Sequence, residues 1–170
     1  NPKACRVRNS NFDHCIRAIR NEGVHLARFT GNDIAVGNTA LITDITNLDY
    51  ALLDEGIILR HCNGFTVEGN YIHPALDIND DPETTLTIGT RADGTGGQPN
   101  TIRNNTFEQL FVANVANRQN RQNPTPGFLR GLQYLCNEQI NDGYDICVTA
   151  PTAGDPNAVA TGVRQNQGES

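Results

Sequence analysis

A six-residue pattern recurs five times along the 170-residue chain and constrains its fold more than any other feature. The pattern is an apolar residue, any residue, Asn or Gly, two further residues, and a closing Phe or Ile. Asn and Gly adopt left-handed backbone conformations more readily than other residues, so the chain can turn at the third position. The third positions are Asn9, Gly31, Gly69, Asn104 and Asn137, and the closing residues are Phe12, Ile34, Ile72, Phe107 and Ile140.

The spacing of the closing residues indicates a coil that completes one turn per repeat. Successive closing residues are 22, 38, 35 and 33 positions apart, so the first interval is near the minimum for one turn and the others include insertions. We therefore predict an all-β, right-handed parallel β-helix (solenoid) of about five rungs. The third positions would form one column of turns, with stacked Asn side chains forming an amide ladder, and the closing residues would stack inward. The predicted insertions are 41–55, 74–83, 91–99 and 117–126.

The composition agrees with a thin core built rung by rung. Apolar residues make up 37% of the chain, and Trp and Met are absent. A β-sandwich is the alternative fold, but it needs hairpin turns at even spacing, which this pattern fits less well. The best local helix candidate is 47–53, inside an insertion. Residues 1–170 are expected to form a single β-helix segment, a fragment of a longer array, because neither end shows an amphipathic cap.

Charge and hydropathy exclude two classes of partner. A net charge of −6 and an isoelectric point near 5.1 argue against nucleic acid, whose phosphates need a basic face. No apolar run approaches the 20 or so residues that span a bilayer. The five Cys cannot all pair with one another. The proximity of Cys5 to Cys15 and of Cys136 to Cys147 invites disulfides, but we favour small buried hydrophobes for most of the five.

The sequence predicts no complete catalytic site. Two His-Cys pairs, at His14 and His61, suggest zinc, but neighbouring residues in a strand point to opposite faces, so one ion cannot take both. An Asp-Asp pair within a loop is not a hydrolytic dyad for the same reason. A loose cluster of oxygen ligands is the one metal candidate, although it lacks the Gly of a calcium loop. No cofactor is predicted, with Ca²⁺ at this cluster as the alternative. The cluster consists of Asp77, Asn79, Asp80 and Asp81.

Four segments resemble the repeats of a known class of β-helix. These segments read NSNFDHCIRAIR, GIILRHCNGFTVEGNYI, NTIRNNTFEQL and GLQYLCNEQINDGYDI. They are similar to right-handed parallel β-helix segments of the pectate-lyase-like superfamily, found in large secreted and cell-surface proteins of Bacteroidota that use type IX secretion. The closest resemblance covers 131–148, followed by 162–168. No sorting domain of that secretion route is visible in the chain.

The resemblance implies a rod displayed outside the bacterial cell, within a longer polypeptide. A non-enzymatic structural or adhesive segment is the leading interpretation, whose partners would be other rungs or domains of the parent chain, glycans, or a cell-surface assembly. The alternatives are a lyase or hydrolase acting on acidic polysaccharide, and a glycan-binding module without turnover. A fold of this kind hosts all three, so the resemblance does not choose between them.

Overall fold

The computed structural model describes residues 4–37, 53–75, 86–121 and 130–149, in which every helix or strand element is a β-strand. Most strands are short, as expected for a chain that turns after every few residues. In chain order they are β1 (Arg6–Arg8), β2 (Asn11–Cys15), β3 (Arg17–Glu22), β4 (Arg28–Thr30), β5 (Asp33–Val36), β6 (Asp54–Arg60), β7 (Thr66–Glu68), β8 (Tyr71–Pro74), β9 (Thr87–Asp93), β10 (Asn100–Arg103), β11 (Thr106–Glu108), β12 (Val112–Asn117), β13 (Leu132–Leu135), β14 (Glu138–Ile140) and β15 (Tyr144–Thr149).

The strands form three parallel sheets of five strands each. Sheet A has the order β1-β4-β7-β10-β13, sheet B β2-β5-β8-β11-β14, and sheet C β3-β6-β9-β12-β15. Every third strand joins the same sheet, so three consecutive strands make one rung and the chain completes five rungs. This confirms the predicted parallel β-helix of about five rungs.

Side chains in equivalent positions stack from rung to rung along the inside of the coil. In sheet A, Val7, Phe29, Val67 and Ile102 are in register, and Tyr134 completes the column. In sheet B a second column begins Phe12, Ile34, Ile72, Phe107. The middle rungs of both columns are fully buried and belong to one continuous core, which is only one side chain thick from each sheet.

The predicted column of turns is correct for four rungs and displaced by one residue in the fifth. Asn9, Gly31, Gly69 and Asn104 each follow the last residue of a sheet A strand and have φ between 49° and 64°. In the fifth rung this place is taken by Cys136, with φ 51°. The assignment of Asn137 to the turn column was therefore wrong.

The same displacement affects the last inward residue. Phe107 is paired with Gln139, while Ile140 is paired with Glu108, so Ile140 does not continue the column of closing residues. The reason is that Tyr134, rather than Leu135, fills the apolar first position of the fifth rung. A pattern that accepts any apolar residue at its first position cannot choose between two adjacent apolar residues.

An asparagine ladder lies one residue after the turn column and runs through the inside of the coil. The side-chain oxygen of Asn70 accepts hydrogen bonds from the backbone N–H of Asn32 at 3.0 Å and from its Nδ2 at 2.8 Å. Asn105 accepts from Asn70 in the same way, and Asn137 accepts from Asn105. Ser10 begins the ladder by donating its N–H to Asn32. The amide ladder expected at the turn column is thus found at the next position.

Each ladder asparagine also donates a hydrogen bond to a backbone carbonyl of the preceding rung. The Nδ2 group of Asn70 donates to the carbonyl of Phe29 at 3.1 Å, and the Nδ2 group of Asn105 donates to that of Val67 at 3.1 Å. These carbonyls belong to the preceding rung, where the chain leaves sheet A. One side chain therefore satisfies polar groups of a bend that would otherwise be buried without partners.

All four predicted insertions begin or end inside strands, since Pro74 ends β8 and Asn117 ends β12. Asp54 and Glu55 belong to β6, and Arg91 to Asp93 continue β9, so these residues are not loops. Residues 38–52, 76–85 and 122–129 lie outside the described residues, as does the helix candidate 47–53 apart from Leu53. Residues 91–93 (RAD) alternate between polar and apolar, as strand residues do. The glycines that follow them led to the prediction of a loop.

Replacing Asn70 with Ala is expected to lower the free energy of unfolding by about 3 kcal/mol. The substitution removes the acceptor for two donors of Asn32 and the donor for the carbonyl of Phe29, and each buried polar group left unpaired costs about 1–3 kcal/mol. Asn11→Ala on the exposed face of β2 is the matched control, with an expected change within about 0.5 kcal/mol. Urea denaturation measures both, and equal effects would contradict the role of the ladder.

Replacing Gly89 with Ala is expected to cost at least about 2 kcal/mol, because the added methyl group has no space. A Cβ there would lie 2.5 Å from the carbonyl oxygen of Ala113 and 2.6 Å from the ring of Phe107. Gly69→Ala is the control: its φ is +64° but no atom lies within 4 Å, so only about 1 kcal/mol of backbone strain is expected. Thermal unfolding of the two variants gives the comparison, and a Gly89→Ala variant as stable as Gly69→Ala would refute it.

Candidate functional surfaces

The outer face of sheet B carries a row of polar and aromatic side chains from neighbouring rungs. Ile34 and Ile72 point into the core, so Asp33 and Tyr71, one position earlier, face outward. His73 follows Ile72 and faces outward too, and Glu108 takes the corresponding place in the next rung. We call these four residues the sheet B row.

The sheet B row is joined by direct contacts across three rungs. The Nε2 atom of His73 lies 3.1 Å from Oδ1 of Asp33, and its Nδ1 atom lies 2.8 Å from the carbonyl of Pro74. The rings of Tyr71 and His73 stack with centroids 4.6 Å apart. The hydroxyl of Tyr71 donates a hydrogen bond to Glu108, which raises the pKa of Tyr71 to about 12, with burial adding to the effect.

The chemistry of the sheet B row suits recognition of a polar ligand. Carboxylate oxygens, a phenol and an imidazole all lie on one outer face, and the Tyr71 side chain is exposed to solvent. The rings and carboxylates already hold one another in place, which fixes their positions before any ligand arrives. Because the row lies on flat strands, it would contact an extended ligand that runs along the coil.

Sheet C carries a network of arginines around two buried carboxylates. The Glu55 side chain is only 2% exposed, and Nη1 of Arg91 lies 3.0 Å from its Oε1. Arg91 also lies 3.7 Å from Asp93, whose side chain is 6% exposed. The remaining partners are Arg17 for Glu55, at 3.8 Å, and Arg60 and Arg118 for Asp93, at 3.9 and 3.5 Å.

This network links four successive rungs, from β3 to β12. A buried carboxylate without a partner would be strongly destabilising, whereas here each one faces two or three guanidinium groups. The arrangement surrounds both acids with positive charge. We therefore interpret the network as structural.

A third feature is the last rung, where Asp142 lies at the bend between β14 and β15. Its Oδ1 atom accepts a hydrogen bond from the backbone N–H of Leu110 at 2.8 Å. Its Oδ2 atom is buried without a hydrogen-bond partner among the described residues. The pKa of Asp142 is raised to about 6, mainly because burial disfavours the charged carboxylate; the Leu110 bond lowers it, and the nearby carboxylates of Asp145 and Glu108 raise it.

The candidate residues predicted from the sequence do not belong to any of these three features. The turn column lies at the corner between sheets A and B and carries no chemical group beyond the side chains of Asn9, Asn104 and Cys136. The calcium candidate at 77–81 lies outside the described residues. In the part of the chain that the structure describes, no three His, Cys, Asp or Glu side chains come together as metal ligands.

All five cysteines are described, and none forms a disulfide. Cys62 is fully buried as predicted, and its burial raises the pKa of the thiol. Cys136 occupies the exposed turn and the other three are half-buried, so the prediction that most of the five are buried hydrophobes was wrong. His14 lies in β2, at a register irregularity of that strand, and His61 lies at the bend after β6; both are exposed and have φ near 50°.

Sequence reasoning missed both the sheet B row and the true ladder. The signal for the ladder was present, because the fourth position of the pattern reads Ser10, Asn32, Asn70 and Asn105 in the first four repeats. The sequence also held a signal for the sheet B row. Adjacent strand residues point to opposite faces, so the fifth position of the pattern, which includes Asp33 and Tyr71, faces outward when the sixth faces inward. The contact between Asp33 and His73 joins residues 40 positions apart and had no local signal.

Comparison of the chain with protein-family models, curated proteins and solved structures gave no match. Among the described residues, no helix is long and apolar enough to cross a membrane.

Asp142→Asn is expected to stabilise the protein at pH 7 and to weaken its pH dependence. The folded pKa of about 6 lies above the ordinary value of 3.8, so the folded state holds the proton more tightly between these values. The stability of the wild-type protein therefore falls as the pH rises from about 4 to 6. Asn keeps the acceptor for Leu110 without the buried charge, and after allowance for solvent screening we expect a gain of about 1 kcal/mol at pH 7.

Urea denaturation of both proteins at pH 4, 5, 6 and 7 measures this difference. The two curves should converge towards pH 4, where the Asp142 carboxyl is protonated in the folded protein. A wild-type protein that gains stability from this residue as the pH rises would contradict the assignment.

Proposed function

We propose that this chain is a non-enzymatic structural or adhesive segment of a secreted bacterial surface protein. The observation that carries the proposal is the asparagine ladder, which bonds every rung to the next through the inside of the coil. A rod held together in this way keeps its shape while its outer faces remain available for contact.

Two further observations support a load-bearing role. Three parallel sheets bond each rung to its neighbours through the backbone, and the arginine network of sheet C adds ion pairs across four of the five rungs. The hydrogen bonds of parallel strands in a solenoid run along its long axis. A force along that axis would therefore load many bonds at once.

The resemblance to β-helix segments of Bacteroidota surface proteins supports the proposed location outside the cell. The partners that follow from it are further rungs or domains of a longer parent chain, or a cell-surface assembly. The low content of Lys and the net charge of −6 fit contact with neutral or cationic surfaces better than with acidic polymers.

A glycan-binding or carbohydrate-active module is the second candidate, and the sheet B row favours it. Tyr71, His73 and the two carboxylates present hydrogen-bonding groups and an aromatic edge on one exposed strand face. Such groups recognise sugar hydroxyls. Hydrolysis would need a second, free carboxylate facing Glu108 across a bound chain.

The test measures mechanical strength, location and polysaccharide cleavage on the same protein. We expect the 170-residue chain, held at both ends, to resist force and to lose resistance in Asn70→Ala but not in Asn11→Ala. We expect antibodies to label intact source cells. Incubation with pectin, alginate or other acidic polysaccharides should produce no new reducing ends and no unsaturated uronate. Cleavage that is lost in a Glu108→Gln variant would replace the structural proposal with the enzymatic one.

A further inference from the structure

The outer face of sheet A carries a surplus of positive charge. Val7 and Phe29 pack into the core, so the residues on either side of them point outward. Across the five strands, the outward positions hold four arginines and one glutamate, a net charge of +3 in a chain whose net charge is −6. These positions are Arg6, Arg8, Arg28, Thr30, Thr66, Glu68, Thr101, Arg103, Gln133 and Leu135.

Three of these arginines lie together in the first two rungs. Arg6 is paired directly with Arg28 of the neighbouring strand, and Arg8 lies two residues beyond Arg6 on the same face. Neighbouring strands are about 4.8 Å apart, and alternate residues of one strand are about 6.6 Å apart, so the three long side chains can reach one ligand group. All three residues are exposed. We call them the sheet A cluster.

The sheet A cluster lacks the acidic partners that other arginines have. Six other arginines, including Arg103 on the same face, lie 3.9 Å or less from a carboxylate oxygen. The three members of the cluster have no such partner among the described residues. Like charges side by side on neighbouring strands destabilise a sheet. The cluster therefore lowers the stability of the fold unless an anion lies between its guanidinium groups.

The position of the cluster leaves it open to a large ligand. The links from sheet A to sheet B are only two residues long in all five rungs, so they form a low edge beside the face. These links are residues 9–10, 31–32, 69–70, 104–105 and 136–137. A further rung before β1 would extend sheet A along the coil axis and would leave its outer face uncovered.

Three guanidinium groups around one point match a phosphate monoester better than a carboxylate. A phosphate monoester has three terminal oxygens and about 1.5 to 2 negative charges at neutral pH. A carboxylate has two oxygens and a single charge, which one arginine can satisfy. Each guanidinium can donate two parallel hydrogen bonds to a phosphate group. The cluster therefore fits a phosphate monoester in both charge and number of acceptors.

The remainder of the face indicates what kind of molecule carries the phosphate. The column that begins with Arg6 and Arg28 continues in register with Thr66, Thr101 and Gln133. Their hydroxyl and amide groups can exchange hydrogen bonds with sugar hydroxyls. The outward positions include no aromatic residue, and Leu135 is their one large apolar residue. The described face therefore offers few apolar contacts to a peptide and little apolar surface to insert into a bilayer.

We propose that the outer face of sheet A binds a glycan that bears phosphate monoester groups. The sheet A cluster holds one phosphate, and the column from Thr66 to Gln133 contacts the adjoining sugar units. The inference rests on the proposed adhesive role and names a partner for it. The charge of this face governs the contact rather than the overall charge of −6, because salt screens charges beyond about 8 Å.

Calorimetric titration of the 170-residue chain with modified dextrans at physiological salt tests the ligand. The dextrans carry phosphate monoester, sulfate ester or carboxymethyl groups at equal density, and unmodified dextran is the blank. We expect the phosphorylated dextran to bind most tightly and to raise the melting temperature of the protein. Binding of the sulfated or carboxymethylated form that is as tight as that of the phosphorylated form would overturn the assignment of phosphate.

The Arg28→Thr variant tests the site, because it introduces the residue that the next two rungs carry in the same column. We expect it to bind phosphorylated dextran at least about tenfold more weakly, since it loses a charge-assisted pair. Without ligand it should melt no lower than the wild type, because the like-charge contact with Arg6 is gone. A lower melting temperature would contradict the repulsion on which the inference rests.

Arg20→Thr is the matched control, since it removes the same charge from an exposed position of β3 in sheet C. Its affinity for phosphorylated dextran is expected to stay within about twofold of the wild type. An equal loss of affinity in the two variants would show a general effect of net charge and would overturn the site. Circular dichroism verifies that both variants are folded.

Vesicles of phosphatidylcholine and phosphatidic acid present the same phosphate monoester on a lipid. We expect no binding to them that depends on Arg28. Binding as tight as that to the phosphorylated dextran, and lost in Arg28→Thr, would assign the face to a membrane surface and overturn the glycan.

The outcomes separate this inference from the proposed function. A folded wild-type chain that binds none of the dextrans overturns the inference but leaves the tests of strength, location and cleavage unaffected. Polysaccharide cleavage would overturn the proposed function, whereas phosphate binding that depends on Arg28 would stand.

Discussion

The hydrogen bonds between stacked asparagine side chains are the constraint on which the rest of the structure depends. A primary amide buried in the core is costly unless its donors and acceptor are all used, and here each amide is satisfied only when the next rung is in register. The ladder therefore converts a loss of register into a large energetic penalty. Such a device matters in this chain, because the core contributed by each rung is only a few apolar side chains.

The ladder lies inside the coil and does not depend on the side chains of the outer faces. Sheet B can carry the row from Asp33 to Glu108, and sheet C can carry buried ion pairs, without altering the turns inside. Recognition surfaces on such a rod are set by outward positions that vary from rung to rung.

The direction of the ladder gives the rod a direction as well. From Ser10 to Asn137, each backbone N–H of the ladder donates to the side-chain oxygen of the following rung. The two directions along the coil are therefore chemically distinct.

The sequence by itself determined the repeat, because an inward apolar residue, a turn and a second inward residue must recur with local spacing that can be read directly. It also placed four of five turns and four of five closing residues. The fifth rung was misread by one position because Tyr134 and Leu135 both satisfy an apolar site, and only pairing with Ile102 distinguishes them. Tertiary structure showed that the ladder uses the fourth position of the pattern rather than the third, and it alone brought together Asp33 with His73 and Glu55 with Arg91. These contacts join residues about 36 to 40 positions apart, a separation fixed by rung stacking rather than by any local preference of the chain.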